Sequence, residues 1–209
     1  MRTYLKAAVA IGILVLVSCG ENPSSETGKK ADTAKSPSSV PQGPVSGKTA
    51  FWEMYRSAHS WAGDVAPLSL ESKEIPGIKN ADGKAAMWSA TFGSPTLRQF
   101  RTYSYSVAEH KPDIMQGLMI GNAQPWGGPR SEALTFDTSD LLVDSDAAYQ
   151  TAVSQAGAWV GKNPGKEPSL TLGNASRFPA PVWYVLWGDK KSGYSVYVNA
   201  KTGGITKPK

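Results

Sequence analysis

A single cysteine, Cys19, places the strongest limit on how this 209-residue chain can fold. Without a second cysteine the chain has no intramolecular disulfide and no cysteine-based zinc site of its own. Its fold must therefore be stabilised by an apolar core. Seven tryptophans are available for that core, and all of them lie after residue 51.

Cys19 ends a segment that has the form of an export signal. Arg2 and Lys6 make a short basic start, and residues 7–17 form an uncharged apolar run. At about 1.5 Å per helical residue, this run is too short to cross a hydrocarbon core of roughly 30 Å, which argues against the alternative of an uncleaved anchor helix. Leu16-Val17-Ser18-Cys19 resembles the lipobox of bacterial lipoproteins. The resemblance implies that residues 1–18 are a signal peptide that is removed, and that Cys19 then carries the acyl chains of a membrane anchor.

The residue after the cysteine is Gly20, at a position where aspartate would resemble a signal for retention in the inner membrane. We therefore expect a lipid-anchored protein of the bacterial cell envelope. In a host with two membranes the outer membrane, facing the periplasm, is favoured; in other hosts we expect the outer face of the cytoplasmic membrane. The formal net charge of +5 includes Arg2 and Lys6, so the processed chain is only weakly basic, and we predict no nucleic-acid partner.

Residues 19–48 are predicted to form a disordered tether between lipid and folded domain. They are rich in Ser, Pro, Gly, Thr and Lys, and they carry too few large apolar side chains to offset the entropy of ordering. Residues 43–49 (GPVSGKT) resemble a phosphate-binding P-loop only superficially. They have three residues between the glycines instead of four, and no strand precedes them, so we predict no phosphate site.

The remaining chain predicts an α+β fold with two helix-plus-antiparallel-sheet units, each in the order α-β-β-β. The first unit is residues 49–110, connecting strands and a loop occupy 111–143, and the second unit is 144–209. The predicted helices cover residues 49–63 and 144–162. The predicted strands cover residues 67–75, 83–93, 97–107, 117–121, 168–172, 181–188 and 194–200, with an additional edge strand at 134–136.

Aromatic residues recur between the two units and indicate a diverged repeat. Trp61 and Trp159 stand 98 residues apart, Trp88 and Trp183 stand 95 apart, and Tyr103 and Tyr194 stand 91 apart. The two units could pack as a pseudo-repeat.

Residues 181–205 (PVWYV, then YSVYVNAKTGGI) resemble a PepSY-type module, with Asn199 where that family usually has aspartate. The resemblance implies a small α+β module with no shared catalytic residues. Such modules are found in the cell envelope and in peptidase pro-regions, where they are thought to inhibit or to act as chaperones.

No catalytic or metal-binding pattern stands out. His59 and His110 lack the spacing of metal ligands, no GxSxG motif is present, and the acidic residues between Asp137 and Asp146 lack EF-hand spacing. We predict no enzymatic activity, no cofactor and no metal. The aromatic faces of the strands are expected to pack under the helices. Trp126, in a Gly/Pro loop, is the candidate binding residue; the alternative is that it plugs one end of the domain.

Three functional hypotheses follow. The first is a non-catalytic lipoprotein that binds a protein or peptide, for example by strand addition at a sheet edge, with regulation of a peptidase as one form. The alternative is a small-molecule-binding accessory lipoprotein with an aromatic cleft between the two units. The third, an envelope hydrolase, requires His59 or His110 within hydrogen-bond reach of a serine and a carboxylate.

Overall fold

The computed structural model describes residues 41–209. The predicted signal peptide, Cys19 and most of the predicted tether lie outside those residues.

Two helices and nine strands make up the described part of the chain, so the predicted α+β class is confirmed. The helices are α1 (Gly47–Trp61) and α2 (Ser145–Lys162), and a short 3₁₀ helix covers Thr138–Asp140. The strands are β1 (Ala66–Lys73), β2 (Met87–Ser94), β3 (Gln99–Ser106), β4 (Gly117–Ile120), β5 (Gln124–Pro125), β6 (Pro168–Gly173), β7 (Val182–Trp187), β8 (Tyr194–Asn199) and β9 (Ile205–Thr206).

All nine strands belong to one antiparallel sheet. Its order is β4-β3-β2-β1-β6-β7-β8-β9, and β5 pairs with the far end of β3. The two central strands, β1 and β6, pair with Leu70 opposite Leu172. From this centre the chain runs outward through β2, β3 and β4 after α1, and through β7, β8 and β9 after α2. The same order of elements, a helix followed by antiparallel strands, therefore occurs twice.

Both helices lie on the same face of the sheet and bury its aromatic side chains. Trp88 and Phe92 on β2, and Trp183 and Trp187 on β7, are almost completely buried, as predicted. Trp88 and Trp183 meet edge to face, with ring centroids 6.1 Å apart. Buried residues of α1, α2 and both groups of strands form one continuous cluster, so the two groups of strands share a single core.

Small residues let the helices approach the sheet closely. On α2 the buried residues are Ala148, Ala152 and Ala156, which recur every four residues along one stripe, together with Ser145 at the start. On α1, Phe51 fills the space between the helix and the sheet and packs on Phe92, with ring centroids 5.7 Å apart. The large tryptophans of the sheet are thus accommodated under a helix face of alanines.

The folded part begins earlier than the predicted end of the tether at residue 48. Val45 is buried and exchanges two backbone hydrogen bonds with Ala85, each 3.0 Å long. The carbonyl of Val45 also accepts a hydrogen bond from the buried indole Nε1 of Trp88 at 3.0 Å. A buried indole N–H needs an acceptor, and this need orders residues that look like linker in the sequence.

The edge strand predicted at residues 134–136 is wrong. Leu134 makes one isolated bridge with Asn174, and the N–H of Phe136 donates to the carbonyl of Pro67. Phe136 then enters the core, with its ring 6.5 Å from that of Phe51. Phe136 fixes the chain to the core at this point. Apolar residues needed for such burial also occur in strands, and for this reason the sequence predicted a strand here.

Candidate functional site

The edge of the sheet at β4 carries exposed apolar side chains. Leu118 is 38% exposed and Ile120 is 53% exposed, and Met115, just before the strand, is 63% exposed. The whole segment from Ile114 to Pro129 contains no charged residue. A monomeric sheet usually protects its edges with charge, proline or a covering element, so an uncharged apolar edge is unusual.

The hydrogen-bonding pattern indicates which backbone groups of β4 face outward. The N–H of Gly121 donates to the carbonyl of Thr102 at 2.8 Å, and Met119 lies opposite Ser104 in the ladder. Because bonded and non-bonded pairs alternate in an antiparallel ladder, the N–H groups of Leu118 and Ile120 point away from β3. Within residues 41–209 no further strand pairs with this edge.

The opposite edge, at β9, has the contrasting character. This strand is only two residues long, Ile205–Thr206. Lys201, Lys207 and Lys209 flank it in the sequence, and Lys201 forms a 2.8 Å ion pair with Asp140. Short length and lysines are two of the means by which proteins prevent the addition of another strand. The β4 edge has no flanking lysine between residues 114 and 129, and its strand of four residues is longer than β9.

Trp126 lies in a segment that crosses the other face of the sheet, which carries no helix. Residues 121–135, here called the strap, run from β3 to the end of β6. The N–H of Trp126 donates to the carbonyl of Arg98 at 2.8 Å. Its partly buried ring lies on Gly93 of β2, where an added Cβ would come within 2.8 Å of the indole. Trp126 is therefore partly covered by the domain's own sheet, and its role in binding stays a prediction.

A pocket of about 180 Å³ lies beside the strap on the helix-free face, where β1 meets β6. Ser69 and Thr171 contribute to it from these central strands. Its apolar lining includes Ala175, Phe178, Val182 and Tyr197, and its charged lining residues are Glu132 and Arg177. The strand tryptophans are buried in the core, as predicted, so the aromatic rings of this pocket come from Phe178 and Tyr197.

The helix N-termini contact each other through one carboxylate. Asp144 caps α2 by accepting from the N–H of Ser145 at 2.6 Å. The same side chain accepts from the N–H of Lys48 at 2.8 Å and from the hydroxyl of Ser46 at 2.6 Å, both at the start of α1. The N–H of Gly47 donates to the buried hydroxyl of Ser145 at 2.7 Å. In the P-loop-like segment, the N–H groups of Gly47, Lys48 and Thr49 are therefore bound to the protein's own side chains.

The other titratable candidates are dispersed. His59 and His110 are both exposed, and neither side chain makes a hydrogen bond to another of residues 41–209. In that part of the chain no group of three or more His, Cys, Asp and Glu residues is placed to hold a metal ion. Asp137 caps the 3₁₀ helix by accepting from the N–H of Ser139 at 2.7 Å. In the acidic stretch between Asp137 and Asp146, Asp137 and Asp144 cap helices, and Asp140 forms a surface ion pair with Lys201.

Comparison with known proteins gives a structural match of low similarity and no match in sequence. No protein-family model matches the chain. No curated protein matches it in sequence. A crystal structure of a presumed lipoprotein from Clostridium difficile 630 is similar in fold, with 9% sequence identity and a TM-score of 0.45, over 80% of this chain and 93% of that chain. A TM-score this low carries no argument about function.

None of the helices within residues 41–209 is both long enough and apolar enough to cross a membrane.

The sequence predicted β4 as a strand but did not identify Leu118 and Ile120 as an exposed pair. Edge position depends on the order of strands in the sheet, which no local pattern encodes. Arg177 and Glu132 were also missed, since both are exposed charged loop residues with no motif around them.

Proposed function

We propose that this chain is a bacterial envelope lipoprotein, anchored through lipid on Cys19, that binds a protein or peptide partner by strand addition at β4. It is proposed to be non-catalytic and to consist of two PepSY-like units packed as a pseudo-repeat. Regulation of a peptidase is one form that such binding could take. The outer membrane, facing the periplasm, is the expected site in a host with two membranes.

The pseudo-repeat is supported by corresponding contacts at the two helix starts. The indole Nε1 of Trp88 donates to the carbonyl of Val45, and that of Trp183 donates to the carbonyl of Val143, each at 3.0 Å. Val45 and Val143 both lie two residues before the first residue of a helix. A shared tryptophan contact at matching positions is what descent from one duplicated unit would leave.

The single observation that carries the binding proposal is the contrast between the two sheet edges. At β4 the apolar side chains of Leu118 and Ile120 are exposed beside outward-facing N–H groups, whereas β9 is short and flanked by lysines. A strand added at β4 would gain main-chain hydrogen bonds, and its apolar side chains would cover Leu118 and Ile120. The expected partner segment is extended, with apolar residues at alternate positions.

The proposal is tested by photo-crosslinking in cells of the host. A photoreactive residue is introduced at Leu118, and a matched control carries it at Leu97, which is 45% exposed in the turn between β2 and β3. We expect a specific envelope protein to crosslink from position 118 and not from position 97. Equal crosslinking from both positions would contradict a β4 site.

Two substitutions separate binding at the edge from general damage. Ile120→Pro removes an outward N–H and leaves the ladder bonds to β3, so it should abolish the crosslink with little loss of stability. Ile120→Lys, combined with the photoreactive residue at Leu118, should also abolish it, whereas Leu97→Lys should not. Trp126→Ala tests whether the strap is a second contact with the partner. Weaker crosslinking from position 118 in this variant would indicate that it is. Retention of the partner by both β4 variants would overturn the proposal.

The anchor is tested separately. Cys19→Ala should move the protein from the membrane fraction to the soluble fraction, because acyl chains supply the membrane affinity. A variant that stays with the membrane would contradict lipid anchoring and leave the β4 proposal unaffected.

A further inference from the structure

We propose that the pocket between the strap and β6 binds an α-carboxylate that carries one large apolar side chain. This pocket lies on the helix-free face, three strands away from β4, and so it goes beyond the proposed strand addition.

The size of the pocket selects a single apolar group. Its volume of about 180 Å³ is below the several hundred Å³ that typically hold a drug-sized ligand. An apolar cavity of roughly 150 Å³ is enough for one benzene ring. Ala175, Phe178 and Val182 are buried and form the apolar wall, and the ring of Tyr197 packs on that of Phe178 at a centroid distance of 4.8 Å. A phenylalanine or leucine side chain therefore fits the interior.

The charges at the mouth select a carboxylate. The guanidinium of Arg177 lies over the ring of Phe178, 5.3 Å from its centroid, which holds the cation beside the apolar wall. Arg130 lines the adjoining depression next to Trp126. Among residues 41–209, no carboxylate lies within 4.0 Å of either guanidinium. Arginine forms paired hydrogen bonds with a carboxylate, so a ligand carboxylate has a ready partner here.

Glu132 is the second charged residue that lines the pocket. The Ser131 hydroxyl, the residue's own backbone N–H and then the charges of Arg130 and Arg177 lower the pKa of its carboxyl, so it is ionised at neutral pH. Within the pocket the charges of Glu132 and Arg177 balance, and Arg130 in the adjoining depression adds a positive charge nearby. A free amino acid would place its ammonium group near Glu132, whereas the last residue of a peptide would present an uncharged amide there. Both sources share the same carboxylate and apolar side chain.

The test uses the full-length chain with methyl-labelled alanine and valine, so that NMR signals of Ala175 and Val182 report binding in the pocket. The probes are N-acetylphenylalanine, its uncharged amide, N-acetylglycine and free phenylalanine. We expect N-acetylphenylalanine to shift both signals in a saturable way. The amide lacks the charge and N-acetylglycine lacks the side chain, so the affinity of each should be lower by about tenfold or by a larger factor.

Variants assign the contact to the mouth. Arg177→Gln should weaken N-acetylphenylalanine about tenfold and leave the amide unchanged, whereas the matched control Lys190→Gln, in the exposed turn after β7, should change neither. Tighter binding of free phenylalanine, lost in Glu132→Gln, supports a free amino acid as ligand. Equal or tighter binding of the acetylated form supports a peptide carboxyl terminus.

Two results would overturn the proposal. One is an amide that binds as tightly as the acid, and the other is a set of probes that leaves both methyl signals unmoved. Neither result bears on strand addition at β4, because Leu118 and Ile120 take no part in the pocket.

Discussion

At the scale of single residues, Asp144 stabilises both helices at once. Its carboxylate accepts from two backbone N–H groups, those of Ser145 and Lys48, and from the hydroxyl of Ser46. Because the start of each helix carries a partial positive charge, this one carboxylate stabilises both helices. The loss of this one side chain would leave donors of both helix starts without partners.

We expect Asp144→Ala to lower the free energy of unfolding by about 2–4 kcal/mol, because a single N-cap is worth about 0.5–2 kcal/mol and this residue acts on two helices. Asp146→Ala is the control, since the Asp146 carboxylate accepts a hydrogen bond only from the N–H of Ala147 and is partly exposed in the first turn. Its cost should stay below about 1 kcal/mol. Urea denaturation measures both values, and equal losses would contradict the double role.

Asp64 provides a pH-dependent contribution. The hydroxyl of Ser94 at 2.6 Å and the N–H of Thr96 at 2.8 Å lower the pKa of this carboxyl to about 2. Because the folded pKa lies below the unfolded value, the contribution is complete above about pH 4 and is lost as the pH falls toward 2. Asp64→Asn should therefore be less stable than the parent protein at pH 7, and the difference should shrink between pH 4 and pH 2. Thermal unfolding across this range checks it; a constant difference would contradict it.

The residue-scale features differed in how far they could be predicted. The sequence offers Asp144 or Ser145 as the cap of α2, because both stand at the start of a helical pattern, and the structure has Asp144 in that role. Its second role could not be predicted, since Ser46 lies 98 residues away and the contact depends on the packing of both helices. Trp126 was singled out by its loop composition, but its contact with Gly93 depends on the path of the strap.

At the scale of elements, periodicity located most of the helices and strands. Both helices were predicted to within two residues of their observed bounds, because alanine and aromatic residues recur at helical spacing. The segment at 134–136 was misassigned because Leu134 and Phe136 anchor a crossing through two separate contacts. Short apolar segments of this kind do not reveal from sequence whether they join a ladder.

We expect amide hydrogen exchange to divide the strands by position in the sheet. The N–H groups of the central strands β1 and β6 should be the slowest, and those of β5 and β9 should be among the fastest. Within β4, Met119 should exchange more slowly than Leu118 and Ile120, since only its N–H is directed at β3. Uniform exchange along β4 would contradict the assigned register.

At the scale of the whole molecule, the two groups of strands within residues 41–209 share one core. Leu70 and Leu172 pair at the centre of the sheet, both are almost completely buried, and both belong to the single core cluster. Sequence analysis predicted the α+β class and the recurrence of the α-β-β-β order, but it could not tell whether the units shared a core. That question depends on which strands pair, and the β1–β6 pairing joins segments about a hundred residues apart.

We expect residues 41–209 to unfold in one transition. Leu70→Ala and Leu172→Ala should each lower the free energy of unfolding by about 2–5 kcal/mol, and each should shift the whole transition. Tryptophan fluorescence and far-ultraviolet circular dichroism, followed on the full-length chain in urea, should give coincident curves. A transition that splits in one variant would show that the two groups of strands unfold separately.

The unequal edges of the sheet limit the stoichiometry of any assembly built on it. A sheet that accepts strands at both sides can propagate head to tail into a fibre, whereas this one can accept a neighbour only beside β4. A peptide docked there completes a one-to-one complex. A second copy docked there through its own β4 would complete a closed two-fold dimer, with the lysine-flanked β9 at both outer ends. In either case growth stops after a single addition.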